Sequence, residues 1–260
     1  MATYNKRGYK PKTKKEKDVQ DEIDVKDSTT AEVFESLDQG ASRTEEWVEK
    51  NQKPILYGIV GVLVVVLAFL AYTKFVAEPN EAEAATELAQ AQESFNTALD
   101  STNETVKDSL YNVALTGSNG KYGLLDIVDN YGSTKAGNLA NYYAGMSYLE
   151  VKDYSKAISH LQDFSSDDMI LGPLAKGAIG DAFMQLGQAS EALGYYEKAA
   201  GMNPNSFTTP RFLFKAGVAA IELGQNATAL KHLNTLKDSY ADSEYAAQAD
   251  LYIGKAQGGN

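Results

Sequence analysis

Residues 54–73 form a stretch of 20 residues without a charged side chain, and this stretch constrains the chain more than any other feature of its sequence. As an α-helix it would be about 30 Å long, which matches the hydrocarbon core of a bilayer. Twelve of its residues are Ile, Leu, Val or Phe. The alternative is a core helix of a soluble protein, but such helices rarely run this long without a charge. We therefore predict a membrane anchor that includes Ile55, Leu63, Phe69 and Leu70.

The segments that flank this span predict its orientation. The apolar run begins more than 50 residues into the chain and exceeds the roughly 7–15-residue core of a signal peptide, so we expect a permanent anchor. Arg43, Lys50 and Lys53 precede the span closely, whereas Lys74 follows it. Because basic flanks stay in the cytoplasm, we predict a cytoplasmic N-terminus and an exported C-terminal domain.

The charge of the chain is distributed unevenly between the two sides of the span. Residues 1–53 carry a net charge of −1, whereas residues 74–260 carry 13 Lys or Arg against 23 Asp or Glu, a net charge of −10. An acidic domain of this kind argues against DNA as a partner. The chain contains no cysteine, which excludes disulfides, thiol catalysis and cysteine-ligated zinc.

The front of the chain divides into a tail and a helical segment. Residues 1–17 hold seven Lys or Arg residues and an acidic stretch follows, so residues 1–28 are predicted to be a disordered cytoplasmic tail. The tail helps to set topology as a solvated segment, or it contacts anionic lipid or the ribosome, and its composition leaves these alternatives open. Residues 29–53 are predicted to be a juxtamembrane helical segment.

A repeated pattern of small residues organises the chain behind the span. Three glycines are each followed twelve residues later by an alanine, and a large side chain comes four positions after that. The three sets are Gly145, Ala157 and Leu161; Gly180, Ala192 and Tyr196; and Gly217, Ala229 and Leu233. Their spacing resembles the tetratricopeptide repeat, a helix–turn–helix unit of about 34 residues. In that repeat the glycine lies where the two helices of a unit approach closely.

This resemblance predicts an all-α fold, in which a single N-terminal transmembrane helix precedes a tetratricopeptide-repeat helical solenoid. Residues 74–137 would form a helical N-terminal part with a degenerate repeat, residues 138–244 three repeats, and residues 245–260 a capping helix and tail. Gly187 and Gly224 fall between paired helices, where the end of the first helix favours a positive φ.

The sequence offers no constellation of residues for catalysis. It contains no phosphate-binding loop, nucleophile elbow or dinucleotide fingerprint. His160 and His232 occupy the same repeat position, but no carboxylates are arranged around them as a metal site would need. We therefore predict that the protein is not an enzyme and uses neither a metal nor a cofactor.

A solenoid of helix pairs works through its concave face, which the first helix of each unit lines. Methionine and aromatic side chains there make adaptable apolar contacts with a protein partner. The residues predicted to bind a partner are Tyr142, Met146, Leu149, Asp181, Met184, Gln185, Phe214, Val218 and Ile221.

The order of these features resembles the YfgM-type ancillary subunits of the bacterial SecYEG translocon. The run LLDIVDNYGSTKAGNLANYYAGMSYLEVKDYSKAI at residues 124–158 carries the resemblance best, and the long front is similar to the version found in Bacteroidetes. The resemblance implies a single-pass protein of the bacterial inner membrane with a periplasmic domain. It also implies SecYEG and a PpiD-like membrane chaperone as partners, with unfolded exported polypeptides as further ligands. The rival interpretation is a scaffold for an envelope secretion, assembly or division complex that handles no clients.

Overall fold

The computed structural model describes residues 29–258, apart from the side chains of residues 29–32, 34, 35, 38, 39 and 43. The predicted tail, residues 1–28, lies outside the described residues. The chain divides into two compact units, Met1–Leu70 and Ala71–Asn260. Throughout the described range the regular structure is helical and no β-strand is present, which confirms the predicted all-α fold.

The first helix, α1, runs from Thr29 to Tyr72 and contains both the predicted juxtamembrane segment and the predicted span. Pro54 lies inside it. The large apolar side chains from Leu56 to Leu70 are all exposed, and Val66 is the least exposed of them at 46%. Of the predicted anchor residues, Leu63, Phe69 and Leu70 are exposed and Ile55 is half-buried. In the part of the chain that is described, this is the helix that is long and apolar enough to cross a membrane.

A π-helical turn, Thr73–Ala77, follows α1 and leads into α2, Glu78–Asp100. The sequence of α2 buries one face at a spacing of three to four residues, as an amphipathic helix does. The buried side chains are Ala84, Leu88, Ala91, Phe95 and Ala98. Two shorter helices come next, α3 at Glu104–Thr116 and α4 at Leu124–Tyr131.

Three helix pairs and a final single helix complete the chain, as the glycine spacing predicts. The pairs are α5 (Lys135–Glu150) with α6 (Tyr154–Asp163), α7 (Leu171–Gln185) with α8 (Ala189–Gly201), and α9 (Thr208–Glu222) with α10 (Asn226–Ser239). The last helix, α11, spans Glu244–Gly258. The core runs through these helices as contiguous apolar clusters, which begin at α2 and end at α11.

The repeat signature has a direct steric basis in each helix pair. A Cβ atom on the repeated glycine would come within 2.5–2.7 Å of the large side chain from the second helix. These contacts join Gly145 to Leu161, Gly180 to Tyr196, and Gly217 to Leu233. The repeated alanines have no exposed surface. Since real Cβ contacts are longer than these distances, only glycine lets the two helices of a pair approach so closely.

The turns inside the pairs share one backbone conformation. Gly187 and Gly224 have φ values of +72° and +68° at the ends of α7 and α9, as their positions predict. At the equivalent point of the first pair Lys152 has a φ of +67°. This left-handed region favours glycine because a Cβ is crowded there. Lys152 therefore adopts a conformation for which the other two pairs use glycine.

The helices before the repeats are joined to the first repeat by a cap. The Glu81 carboxylate, on α2, accepts hydrogen bonds from the backbone N–H groups of Lys135 and Ala136, at 2.8 and 3.1 Å. The Thr134 hydroxyl oxygen accepts a third from the N–H of Gly137. Together they satisfy N–H groups at the start of α5 that have no partner within the helix, and the negative charge suits that helix end.

We expect Gly177→Ala to destabilise the domain by about 2 kcal/mol, because a Cβ there would overlap the buried ring of Phe212. The matched control is Gly194→Ala, which places the same methyl group in open space within α8. This control should stabilise the domain by about 0.5–1 kcal/mol through helix propensity. Urea unfolding of residues 71–260, followed by far-UV circular dichroism, measures both changes. Equal stability of the two variants would contradict this account of the packing.

We expect Glu81→Ala to cost about 1–2 kcal/mol of stability, since the N–H groups of Lys135 and Ala136 would lose their acceptor. Glu93→Ala, on an exposed position of the same helix, should change stability by less than about 0.5 kcal/mol. Amide hydrogen exchange locates the effect, because the amide of Ala136 should exchange faster in the first variant alone. Unchanged exchange there would show that the cap contributes nothing.

Candidate partner-binding groove

A groove of about 660 Å³ opens on the face formed by the first helices of the repeats. Helices α5, α7 and α9 supply most of its lining, and the α5–α6 turn, α6, α8 and α11 supply the rest. The lining residues are Leu149, Glu150, Lys152, Tyr154, Asp181, Met184, Gln185, Tyr196, Phe214, Lys215, Val218 and Tyr252. The volume suits a short peptide segment or a few side chains of a partner.

Six of the nine residues predicted to bind a partner lie in this groove: Leu149, Asp181, Met184, Gln185, Phe214 and Val218. The other three pack into the interior. Tyr142 is buried, with its ring centroid 5.2 Å from that of Phe164. Met146 and Ile221 are half-buried against the apolar clusters. The structure therefore brings two thirds of the predicted set together, and their role in binding stays a prediction.

A hydrogen-bonded ion pair lies in the lining of the groove. The Nζ of Lys215 lies 2.5 and 2.7 Å from the two carboxylate oxygens of Asp181. The hydroxyl of Tyr196 donates a hydrogen bond of 2.7 Å to the same carboxylate. About a quarter of each charged side chain is exposed, so water screens the pair only in part. Its geometry makes it an ordered polar centre among apolar walls.

Burial fixes the role of Tyr196 in this centre. Its side chain, from α8, is 3% exposed and its ring packs on Gly180. Burial first, and then the neighbouring Asp181 carboxylate, raises the pKa of the Tyr196 hydroxyl far above its usual range. The hydroxyl therefore keeps its proton and remains a hydrogen-bond donor at any physiological pH.

Sequence reasoning missed Lys215 and did not assign Tyr196 a polar role. Tyr143 and Ala178 occupy the position of Lys215 in the other units, so the repeat pattern did not indicate a charged residue there. Tyr196 stands where the other repeats have Leu161 and Leu233, and it was assigned only to packing. The available signal was chemical, because a buried tyrosine hydroxyl needs a partner and Asp181 follows the glycine that the ring covers.

Aromatic and methionine side chains form the walls beside this centre. The ring centroid of Phe214 lies 5.0 Å from that of Tyr252, on α11, in an edge-to-face arrangement. The Tyr154 hydroxyl makes a long contact of 3.5 Å with the side-chain oxygen of Gln185. Met184 also lines the groove. Such side chains supply apolar area and adapt their shape, so the walls can accept a partner's apolar side chains.

The two histidines have protein partners rather than a metal environment. His160 stacks on Tyr148, and its Nδ1 lies 2.9 Å from the side-chain oxygen of Asn141. Burial lowers the pKa of His160, which is therefore neutral at pH 7. His232 Nε2 lies 2.9 Å from a carboxylate oxygen of Glu197. Among residues 29–258, no group of three or more His, Cys, Asp or Glu side chains could hold a metal ion.

Comparison with known families identifies the helix pairs. The family model for the tetratricopeptide repeat matches residues 142–207 and residues 178–244, which together run from within α5 through the end of α10. No curated protein matches the chain. The chain therefore contains tetratricopeptide repeats in an all-helical fold, and such repeats are a scaffold for binding protein partners.

We expect the charges of Asp181 and Lys215 in the groove to be energetically coupled. Asp181→Ala should destabilise the domain by about 1–2 kcal/mol, because it leaves the Lys215 ammonium partly buried without its partner. The double variant with Lys215→Met should cost less than the sum of the single variants by about 1 kcal/mol. The exposed pair of Lys156 and Asp153 is the control, with an expected coupling below about 0.5 kcal/mol. Urea unfolding gives both cycles, and equal coupling would contradict a special role for the pair in the groove.

Proposed function

We propose that this chain is a membrane-anchored adaptor whose groove binds a protein partner beside the membrane. In its specific form, the protein is an ancillary subunit of the SecYEG translocon that binds a PpiD-like chaperone, emerging exported chains, or both. One observation carries the proposal: a groove of about 660 Å³, walled by aromatic and methionine side chains, lies in the tetratricopeptide domain that follows an exposed apolar span.

The anchor and the groove act together in this proposal. A span inserted in the bilayer confines the domain to the membrane surface and raises the effective concentration of the groove there. We propose that the N-terminus is cytoplasmic and that the domain is periplasmic, since the basic residues before the span favour that orientation. The groove would then face proteins that have just crossed the inner membrane.

Six of the nine predicted residues would contact the partner directly in this account. Leu149, Met184, Phe214 and Val218 supply apolar surface, whereas Asp181 and Gln185 supply polar groups. Tyr142, Met146 and Ile221 would shape the groove from behind, because they are buried or half-buried in the apolar clusters. The resemblance of residues 124–158 to YfgM-type subunits supports the more specific proposal, that the partner belongs to the translocon.

A second function, a scaffold for an envelope complex without client handling, has one observation in its favour. The pair of Asp181 and Lys215 is already satisfied, with its geometry set by Tyr196. A preformed polar centre favours one fixed partner over many unfolded clients, because unpaired polar groups in a mismatched partner would carry a desolvation cost.

Crosslinking in cells tests both functions. A photoreactive amino acid replaces Gln185, which is exposed and lines the groove, in the full-length protein. The matched control carries it at Lys231, an exposed position on α10 outside the groove. We expect SecY and a PpiD-like protein to be captured from position 185 alone, and to be lost when residues 54–73 are deleted.

The other outcomes separate the two functions. Capture of division, secretion-machine or outer-membrane components would replace the translocon by the scaffold. Equal capture from positions 185 and 231 would show that the groove is not the binding surface. Suppression of aggregation of an unfolded protein by the purified full-length chain would support client handling, whereas a scaffold leaves aggregation unchanged.

A further inference from the structure

Lys152 lies in the groove with a backbone conformation that is unfavourable for lysine. Its φ is +67°, whereas Gly187 and Gly224 hold the equivalent turns of the other two pairs. Within the described part of the chain, Asn119 and Asn203 are the other residues besides glycine with positive φ, and neither lines the groove. A residue other than glycine in this region strains the backbone, and such strain concentrates at functional positions.

The ion pairs of the groove single out the same residue. Four charged side chains line it: Glu150, Lys152, Asp181 and Lys215. The Glu150 carboxylate lies 3.0 Å from the Nζ of Lys107, and Asp181 binds Lys215 through both oxygens. Lys152 is exposed, and among the described lining residues it is the charged side chain that takes part in neither of these ion pairs. The groove therefore carries one positive charge that is not balanced by a carboxylate.

We propose that Lys152 determines the specificity of the groove, and that its occupant is a partner segment in which an Asp or Glu side chain is flanked by apolar residues. The carboxylate would pair with the Lys152 ammonium, while apolar neighbours pack on Met184, Phe214 and Tyr252. This inference rests on the proposed function, since it names the kind of segment that the groove binds.

The charge of the domain limits how acidic the occupant can be. Residues 74–260 carry a net charge of −10, which repels an acidic tract at long range. A single carboxylate placed against Lys152 experiences the local attraction with little of that repulsion. The preferred segment is therefore apolar with one acidic side chain, rather than acidic throughout.

Defined peptides test this specificity on the full-length protein in mild detergent. The probes are 12-residue peptides with one Leu-Phe-Glu-Leu-Phe core flanked by serine and glycine, acetylated and amidated so that the termini carry no charge. Two further peptides replace the glutamate by glutamine or by lysine. We expect fluorescence anisotropy to show the glutamate peptide binding about three- to fivefold tighter than the glutamine peptide, with the lysine peptide weakest.

Lys152→Gly distinguishes a specificity role from a structural one. We expect this variant to bind the glutamate and glutamine peptides equally, yet to raise the Tm by about 2–4 °C because glycine relieves the turn. Lys231→Ala, a change at an exposed lysine outside the groove, should keep the preference for glutamate. A variant that gains stability while it loses discrimination cannot have lost binding by unfolding.

Each remaining outcome overturns a stated part. Equal binding of the glutamate and glutamine peptides to the unchanged protein, with capture from position 185 intact, overturns the carboxylate specificity and leaves the proposed function standing. A preference that survives in Lys152→Gly overturns the role of Lys152. Tighter binding of a glutamine peptide with a free C-terminal carboxylate than of the amidated glutamate peptide would show that a chain terminus is the ligand instead. Failure of all peptides together with loss of capture overturns the groove itself.

Discussion

The close contact between a glycine on the first helix and a large side chain on the second is the interaction on which the repeat domain depends. It sets the distance between the helices of each pair, and it is made in all three pairs. Because each pair then presents one apolar face to the next, the core extends by stacking rather than by enclosing a single centre. The side of the first helices that faces away from this packing is left to form the groove.

The middle pair uses the same contact to build a polar centre. The ring of Tyr196 packs against Gly180, and its hydroxyl donates a hydrogen bond to the Asp181 carboxylate. Leucine at the same position in the other pairs packs equally closely but has no donor to offer. One substitution within a packing position thus links the core of the domain to the chemistry of the groove, and it explains why Asp181 and Lys215 are held in a defined geometry.

Much of the fold could be predicted from the sequence because its determinants repeat. The spacing of Gly145, Gly180 and Gly217 located the helix pairs, and the uncharged run at residues 54–73 located the helix suited to a bilayer. The groove was only partly predictable. A repeat position predicts the direction of a side chain but not whether a neighbouring helix covers it. For this reason the burial of Tyr142 could not be predicted. The role of Lys215 was not predicted because it pairs with Asp181 of the preceding repeat, and the spacing of residues along the chain does not reveal such a contact.

Tyr252 makes the last described helix part of the lining of the groove. This residue belongs to α11, which packs on α9 and α10 within the described part of the chain. A helix that packs against one neighbouring repeat opens more easily than a helix packed between two, because it has fewer buried contacts to lose. Fraying of α11 would remove Tyr252 from the lining, while the ion pair of Asp181 and Lys215 on other helices stays in place. An occupant that packs on Tyr252 would in turn stabilise the folded α11, so binding and the order of α11 are thermodynamically linked.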